Sequence, residues 1–114
     1  MSDHHHLLCV YVTFPDQTSA ENMAQTLVEL KHVACATLLP AGISFYMWEG
    51  ALNQTAEVVM LAKTTASQWP ALLDCVARHH PYQVPCVLAW PLMHVATAYE
   101  SWVRGEVGER GGRG

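Results

Sequence analysis

The chain has 114 residues, enough for one domain, because a chain of this size buries roughly two-thirds of the surface its unfolded form would expose. Its charged fraction is 14% against roughly 25% in an average globular chain, and 51% of it is hydrophobic, which leaves little charge to coat a lone monomer. Up to residue 103 the cations are Lys31, Lys63 and Arg78 against eight carboxylates, so nucleic acid is not an expected partner.

Leu7 to Phe14 is an apolar run closed by Pro15-Asp16, which predicts a strand covered on both faces. Thr18 and Glu21 have capping-box spacing, and Ala20, Met23, Ala24, Leu27 and Val28 then repeat at helical intervals to about Lys31. Val33 to Leu39 and Ile43 to Trp48 read as strands, with Pro40-Ala41-Gly42 either a turn between them or a bend inside one long strand. Glu49 to Thr55 is polar and reads as a hairpin loop, and Glu57 to Thr65 as the next strand.

Ser67 is placed to cap a second helix with Pro70 in its first turn, and Trp69, Leu72, Leu73, Val76 and His80 keep the helical period until His79-His80-Pro81 ends it. Cys86 to Trp90 predicts a last strand and Thr97 to Val103 a terminal helix. The stretch 104–114, RGEVGERGGRG, is glycine-rich and nearly free of apolar residues, so a flexible tail is expected there, dispensable for stability, after a single domain over 1–103. Two helices crossing one face of a mainly antiparallel sheet give an α+β fold, the ferredoxin-like split βαβ sandwich, with a short C-terminal helix.

Val84 to Leu92 is broken by Pro85 and Pro91 and falls far short of the roughly 20 residues of a bilayer span, so no membrane partner is expected. The start, MSDHHHLLCVYV, has no basic region ahead of its apolar run and so does not read as an export signal. Cys9, Cys35, Cys75 and Cys86 are scattered and lack a CxxC pair, which reads as reduced thiols, mostly buried as small hydrophobes.

The blocks ACATLLP (34–40), SFYMWEG (44–50), EVVMLAKT (57–64) and HHPYQVP (79–85) resemble, in order and spacing, the divalent-cation-tolerance (CutA) family. The resemblance covers about residues 8 to 103. It implies a ferredoxin-like homotrimer in the cytoplasm, associated with tolerance of copper and other divalent metals and with copper binding. The trimer would form by inter-subunit strand pairing, which suits a chain with few charges and aromatics such as Phe45, Tyr46 and Trp48 available for a partner surface.

The resemblance also implies a copper site that includes His79 and His80. Neighbours on a helix diverge by about 100°, so the pair does not converge on one ion unaided, and the competing reading is a histidine serving the last carbonyls of a helix. Some relatives add a first-strand cysteine to this pair. Here that position is Val12, which cannot ligate, and Cys9 lies on the opposite strand face. Cys35 and Cys75 match family cysteines and read first as buried structural thiols, then as metal ligands. Cys86 stands where relatives usually carry glutamate; it is either a soft-metal ligand or a small buried strand residue.

Lys63 lies near the end of a mostly apolar strand, with Trp48, Glu57, Tyr82 and Trp102 expected around it across a subunit cleft. It would hold either an anionic ligand or an ion pair with Glu49, Glu57 or another carboxylate. No Ser-His-Asp order, phosphate loop or HExxH is present, so no enzyme and no organic cofactor are expected. The alternative function is a small-molecule sensor like the PII signalling trimers, which share this plan but use a long mobile loop and several phosphate-binding cations.

Overall fold

The computed structural model describes residues 6–108. The chain runs β1 (Leu7–Phe14), α1 (Gln17–Glu29), β2 (Cys35–Trp48), β3 (Ala51–Thr65), a 3-10 turn (Ala66–Gln68), α2 (Trp69–His79), β4 (Val87–Pro91) and α3 (Thr97–Glu106). The four strands form one sheet in the order β2-β3-β1-β4, with every neighbouring pair antiparallel. β3 separates the parallel pair β1 and β2, which is the expected ferredoxin-like split βαβ plan.

Alternation along β1 decides which side chains meet the helices. Val10, Val12 and Phe14 lie in register with Ala62, Met60 and Val58, and these residues are buried with Met23 and Leu27 of α1 and Leu72 and Val76 of α2. The other face carries Cys9, Tyr11 and Thr13 beside Lys63, Leu61 and Val59. One end of that face is covered by α3, where Leu7 and Ala34 are buried with Val103 and Val107. Leu39, Leu88 and Trp90 of the same face are exposed. No described helix is long and apolar enough to cross a membrane.

Several local expectations shift. The cap of α1 is Asp16, whose Oδ1 accepts from the Ser19 backbone N–H at 2.7 Å, in place of a Thr18–Glu21 box. β2 is one continuous strand with a bulge between Leu39 and Gly42. Ala41 takes the left-handed conformation there, with φ 69°, and at the next position a Cβ on Gly42 would stand 3.1 Å from the Glu57 carbonyl oxygen, a tight contact. The expected loop 49–55 contracts to the two residues Glu49 and Gly50, both with positive φ (51° and 83°), the backbone of a tight hairpin turn whose twist matches its strands. Trp48 therefore pairs directly with Ala51.

At the second helix Ser67 lies within the 3-10 turn, its Oγ 3.1 Å from Thr65 Oγ1, and α2 begins two residues later. The boundary expected at 103 is also too early. α3 continues to Glu106, held by an Arg104–Glu100 ion pair of 3.1 Å. Val107 is buried, and the Gly108 N–H donates to the Lys31 carbonyl at 3.0 Å. The glycine count of this stretch conceals one valine with a place in the core. The remainder of the expected tail, 109–114, lies outside the described residues.

Candidate functional site

The two histidines at the end of α2 point to different places. His79 Nδ1 donates to the Cys75 carbonyl at 2.9 Å, the helix-end role, and stands 3.7 Å from Cys75 Sγ. With Nδ1 as donor, Nε2 is the nitrogen that carries the lone pair. His80 leaves the helix with extended backbone, is buried, and stacks on Phe14 with ring centroids 4.6 Å apart.

Both ring nitrogens of His80 are engaged. Nε2 donates to the Thr13 carbonyl at 2.7 Å, and Nδ1 accepts the Tyr82 N–H at 3.0 Å. β4 pairs with β1 only from Leu8 to Val12, so the Thr13 carbonyl takes a side-chain donor on that edge. This fixes a neutral tautomer. Burial lowers the His80 pKa below 6.5, against the opposing pulls of the Thr13 carbonyl and the Glu57 charge. A metal on His80 would have to displace one of these bonds, so the adjacent pair is not a joint ligand set in this conformation.

Val12 is fully buried among the core residues, and Cys9 is on the other face, as the strand alternation implies. Cys75 is buried, and that burial raises its pKa, although Arg78 works in the opposite direction. Cys35 is only half-buried and lies 3.3 Å from the Tyr99 hydroxyl. Cys86 is exposed and precedes β4, which corrects the reading of it as a buried strand residue. Pro85 delays the strand by one residue and leaves the thiol on the wall of a groove. Among the described residues no group of three or more His, Cys, Asp or Glu side chains is arranged to hold a metal ion. Cys75 and His79 form one close thiol–imidazole pair.

Within one chain the residues expected around Lys63 across a subunit cleft fall into two groups. Trp48, Glu57 and Tyr82 do come together, with Ser44, in a groove of about 620 Å³ between the hairpin and the Pro81–Cys86 segment. Glu57 is buried; Ser44 Oγ donates to its Oε1, and the Tyr82 hydroxyl donates to its Oε2 at 2.7 Å. Lys63 is six residues further along β3, roughly 20 Å away at strand rise. It occupies a row between Cys9 and Cys35. Trp102 belongs to that end as well, packed on Tyr99, which in turn meets Cys35. Among the described residues Lys63 makes no ion pair, so the expected bridge to Glu49 or Glu57 is absent within the chain. Ser44 and Thr13, which tie the groove and the corner together, give only a weak sequence signal: single hydroxyls inside apolar strands.

Residues 8–106 match the family model described as CutA1 divalent ion tolerance protein. The divalent-cation tolerance protein CutA of Salmonella newport (strain SL254) is 48% identical over 94 residues, 82% of each chain. The crystal structure of CutA1 from Oryza sativa matches with a TM-score of 0.90 at 31% identity, covering 96% of this chain and 100% of that one. The divalent cation tolerance protein from Thermus thermophilus matches at 0.87 with 33% identity, covering 90% and 99%. These relatives are named for tolerance of cations and not for a catalysed reaction. With a family match over nearly the whole described chain and the same fold, the chain belongs to the CutA1 divalent ion tolerance family.

Proposed function

We propose that this family member acts in metal tolerance by binding copper or a similar soft ion, as a cytoplasmic homotrimer without catalytic activity. The observation that carries the metal reading is the 3.7 Å separation of Cys75 Sγ and His79 Nδ1; ligation there requires the imidazole to switch tautomer, Nδ1 giving up its proton and its bond to the Cys75 carbonyl. Metal–sulfur and metal–nitrogen bonds of about 2.3 and 2.0–2.1 Å meeting at a tetrahedral angle need their donors roughly 3.6 Å apart. One turn of α2 therefore supplies a two-point chelate of a soft and a borderline donor, which suits Cu(I) better than a hard cation. With two protein ligands the ion exchanges readily, a property that fits buffering of excess metal better than permanent storage. Isothermal titration of reduced protein with Cu(I), Cu(II) and Zn(II) tests this: saturable Cu(I) binding supports it, and an absence of heat for every ion rejects it.

Support for the trimer comes from surface chemistry. Among the described residues β2 pairs only with β3, so its outer edge is free over a 14-residue strand. Leu39, Leu88 and Trp90 are exposed on the face not covered by α1 and α2. Long apolar edges invite strand pairing, and an uncovered apolar sheet face calls for a partner. Multi-angle light scattering should give three chain masses of 12.6 kDa each; a monomer at micromolar concentration would reject the assembly. Four free thiols support a reducing compartment, to be tested by cell fractionation.

The sensor reading ranks second. It has the shared fold in its favour, but the two-residue hairpin turn offers no long loop, and the groove at its base presents a carboxylate and no cation to an anionic effector. Titration with ATP and 2-oxoglutarate alongside the metals separates the two.

A further inference from the structure

Glu57 and Lys63 stand in one row of β3. Strand alternation puts Glu57, Val59, Leu61 and Lys63 on the same side, the side that α1 and α2 leave uncovered. The row therefore has an apolar middle and opposite charges at its two ends, and neither charge is neutralised within the chain. Glu57 is only 7% exposed, and its two oxygens accept from neutral hydroxyls, those of Ser44 and Tyr82. Lys63 is half-buried between Cys9 and Cys35 and makes no ion pair among the described residues.

Both groups lie on the surface assigned above to the subunit contact. Closing that contact withdraws both charges from water, and a buried charge left without a partner is strongly destabilising. We infer that in the homotrimer Glu57 of each subunit pairs with Lys63 of the partner subunit, so that every subunit boundary carries one buried ion pair and the groove beside the hairpin receives the Lys63 end of the next copy. The inference rests on the homotrimer reading. A three-fold ring is built from heterologous contacts, in which one patch meets a different patch of the neighbour. Unlike ends of the row then meet at all three boundaries, and the ring closes with no charge unmatched. The apolar surroundings agree with this pairing: Trp102 is exposed at the Lys63 end, beside Tyr99, and Phe45 and Trp48 are exposed on the groove wall, so aromatic surface is available on both sides of the contact. Once paired, Lys63 has no uncompensated charge to offer an anionic ligand.

The test is a double-mutant cycle on the full chain with Glu57→Gln, Lys63→Met and the two together. Light scattering reads the subunit concentration at which half of the trimer has dissociated, in urea too dilute to unfold the chain by circular dichroism. Each single variant leaves one buried charge unpaired and should raise that concentration at least about tenfold. The double variant leaves none unpaired and should dissociate at a lower concentration than either single variant. Within one chain the two groups are roughly 20 Å apart along β3, a separation at which substitutions act independently, so coupling of this kind arises between subunits. Effects that multiply in the double variant, or a Lys63→Met trimer as stable as the wild type, would overturn the inference. Lys63→Met keeps the test open even where Glu57→Gln disturbs the chain, because the Lys63 ammonium makes no hydrogen bond or ion pair among the described residues. A trimeric wild-type protein with multiplying effects removes the ion pair alone, whereas a wild-type protein that does not scatter as three chains removes the homotrimer reading itself.

Discussion

The Tyr82 hydroxyl donates to Glu57 Oε2 at 2.7 Å, joining the proline-bracketed corner after α2 to the middle of β3, 25 residues earlier. Burial of the phenol, its bond to Glu57 and the Glu57 charge all push the Tyr82 pKa up, so the hydroxyl stays protonated and remains a donor. Hydrogen bonds to charged groups contribute roughly 1.5–3 kcal/mol when the charge is withdrawn from water. Tyr82→Phe should therefore destabilise the protein by about 2 kcal/mol in urea denaturation with an unchanged m-value; a loss below about 0.5 kcal/mol would show that water replaces the phenol.

His80 gives a pH dependence whose sign follows from its environment. Its folded pKa is lowered, chiefly by burial, from 6.5. As pH falls below about 6.5 the unfolded chain takes up this proton first, so the contribution of His80 is complete above that pH and declines between 6.5 and its lower folded value. His80→Gln, which retains a donor for the Thr13 carbonyl, should flatten the fall in stability below pH 6.5. An identical pH profile in the variant would assign the acid sensitivity elsewhere.

Ala41 occupies the left-handed region with φ 69°, which costs an L-residue roughly 1–2 kcal/mol relative to its preferred basins. Glycine avoids that cost and loses part of the gain to its larger unfolded entropy. Ala41→Gly should raise stability by about 0.5–1 kcal/mol. Thermal unfolding reads this directly, and a lower melting temperature would contradict the assigned conformation.

Val107 is 4% exposed and packs with Leu7, Ala34 and Val103. Removing its two methyl groups withdraws buried surface worth about 0.8 kcal/mol per carbon, so Val107→Ala should cost about 1.5 kcal/mol. Unchanged stability would return the chain from residue 104 onward to the status of a dispensable tail.

How much of the molecule is legible in its sequence depends on the range of the interaction. Element types and sheet plan follow from periodicity and from the four family-like blocks, because the hydrophobic pattern is local. Strand alternation likewise places Cys9 and Val12 on opposite faces. The hairpin escapes such reading because its polar residues Asn53, Gln54 and Thr55 sit on an exposed two-stranded extension, where polarity no longer separates strand from loop. Cys75–His79 has helical i, i+4 spacing and is readable in principle, but the adjacent histidines are the louder signal. Whether Lys63 and Glu57 share a site cannot be decided by residue type, since it depends on their six-residue separation along one strand. The partners of His80 are 67 residues away at Thr13 and two residues on at Tyr82, and only the folded chain brings them together.

The central claim is that α2 carries the metal-binding pair, and Cu(I) affinity measured by competition with a chromophoric chelator tests it most directly. Cys75→Ser and His79→Ala should each weaken Cu(I) binding at least tenfold, about 1.4 kcal/mol. Cys35→Ser, whose thiol meets Tyr99 at another part of the sheet, should leave it within a factor of about two. The contradicting result is Cu(I) affinity unchanged in both α2 variants, or no Cu(I) bound by the wild-type protein at all.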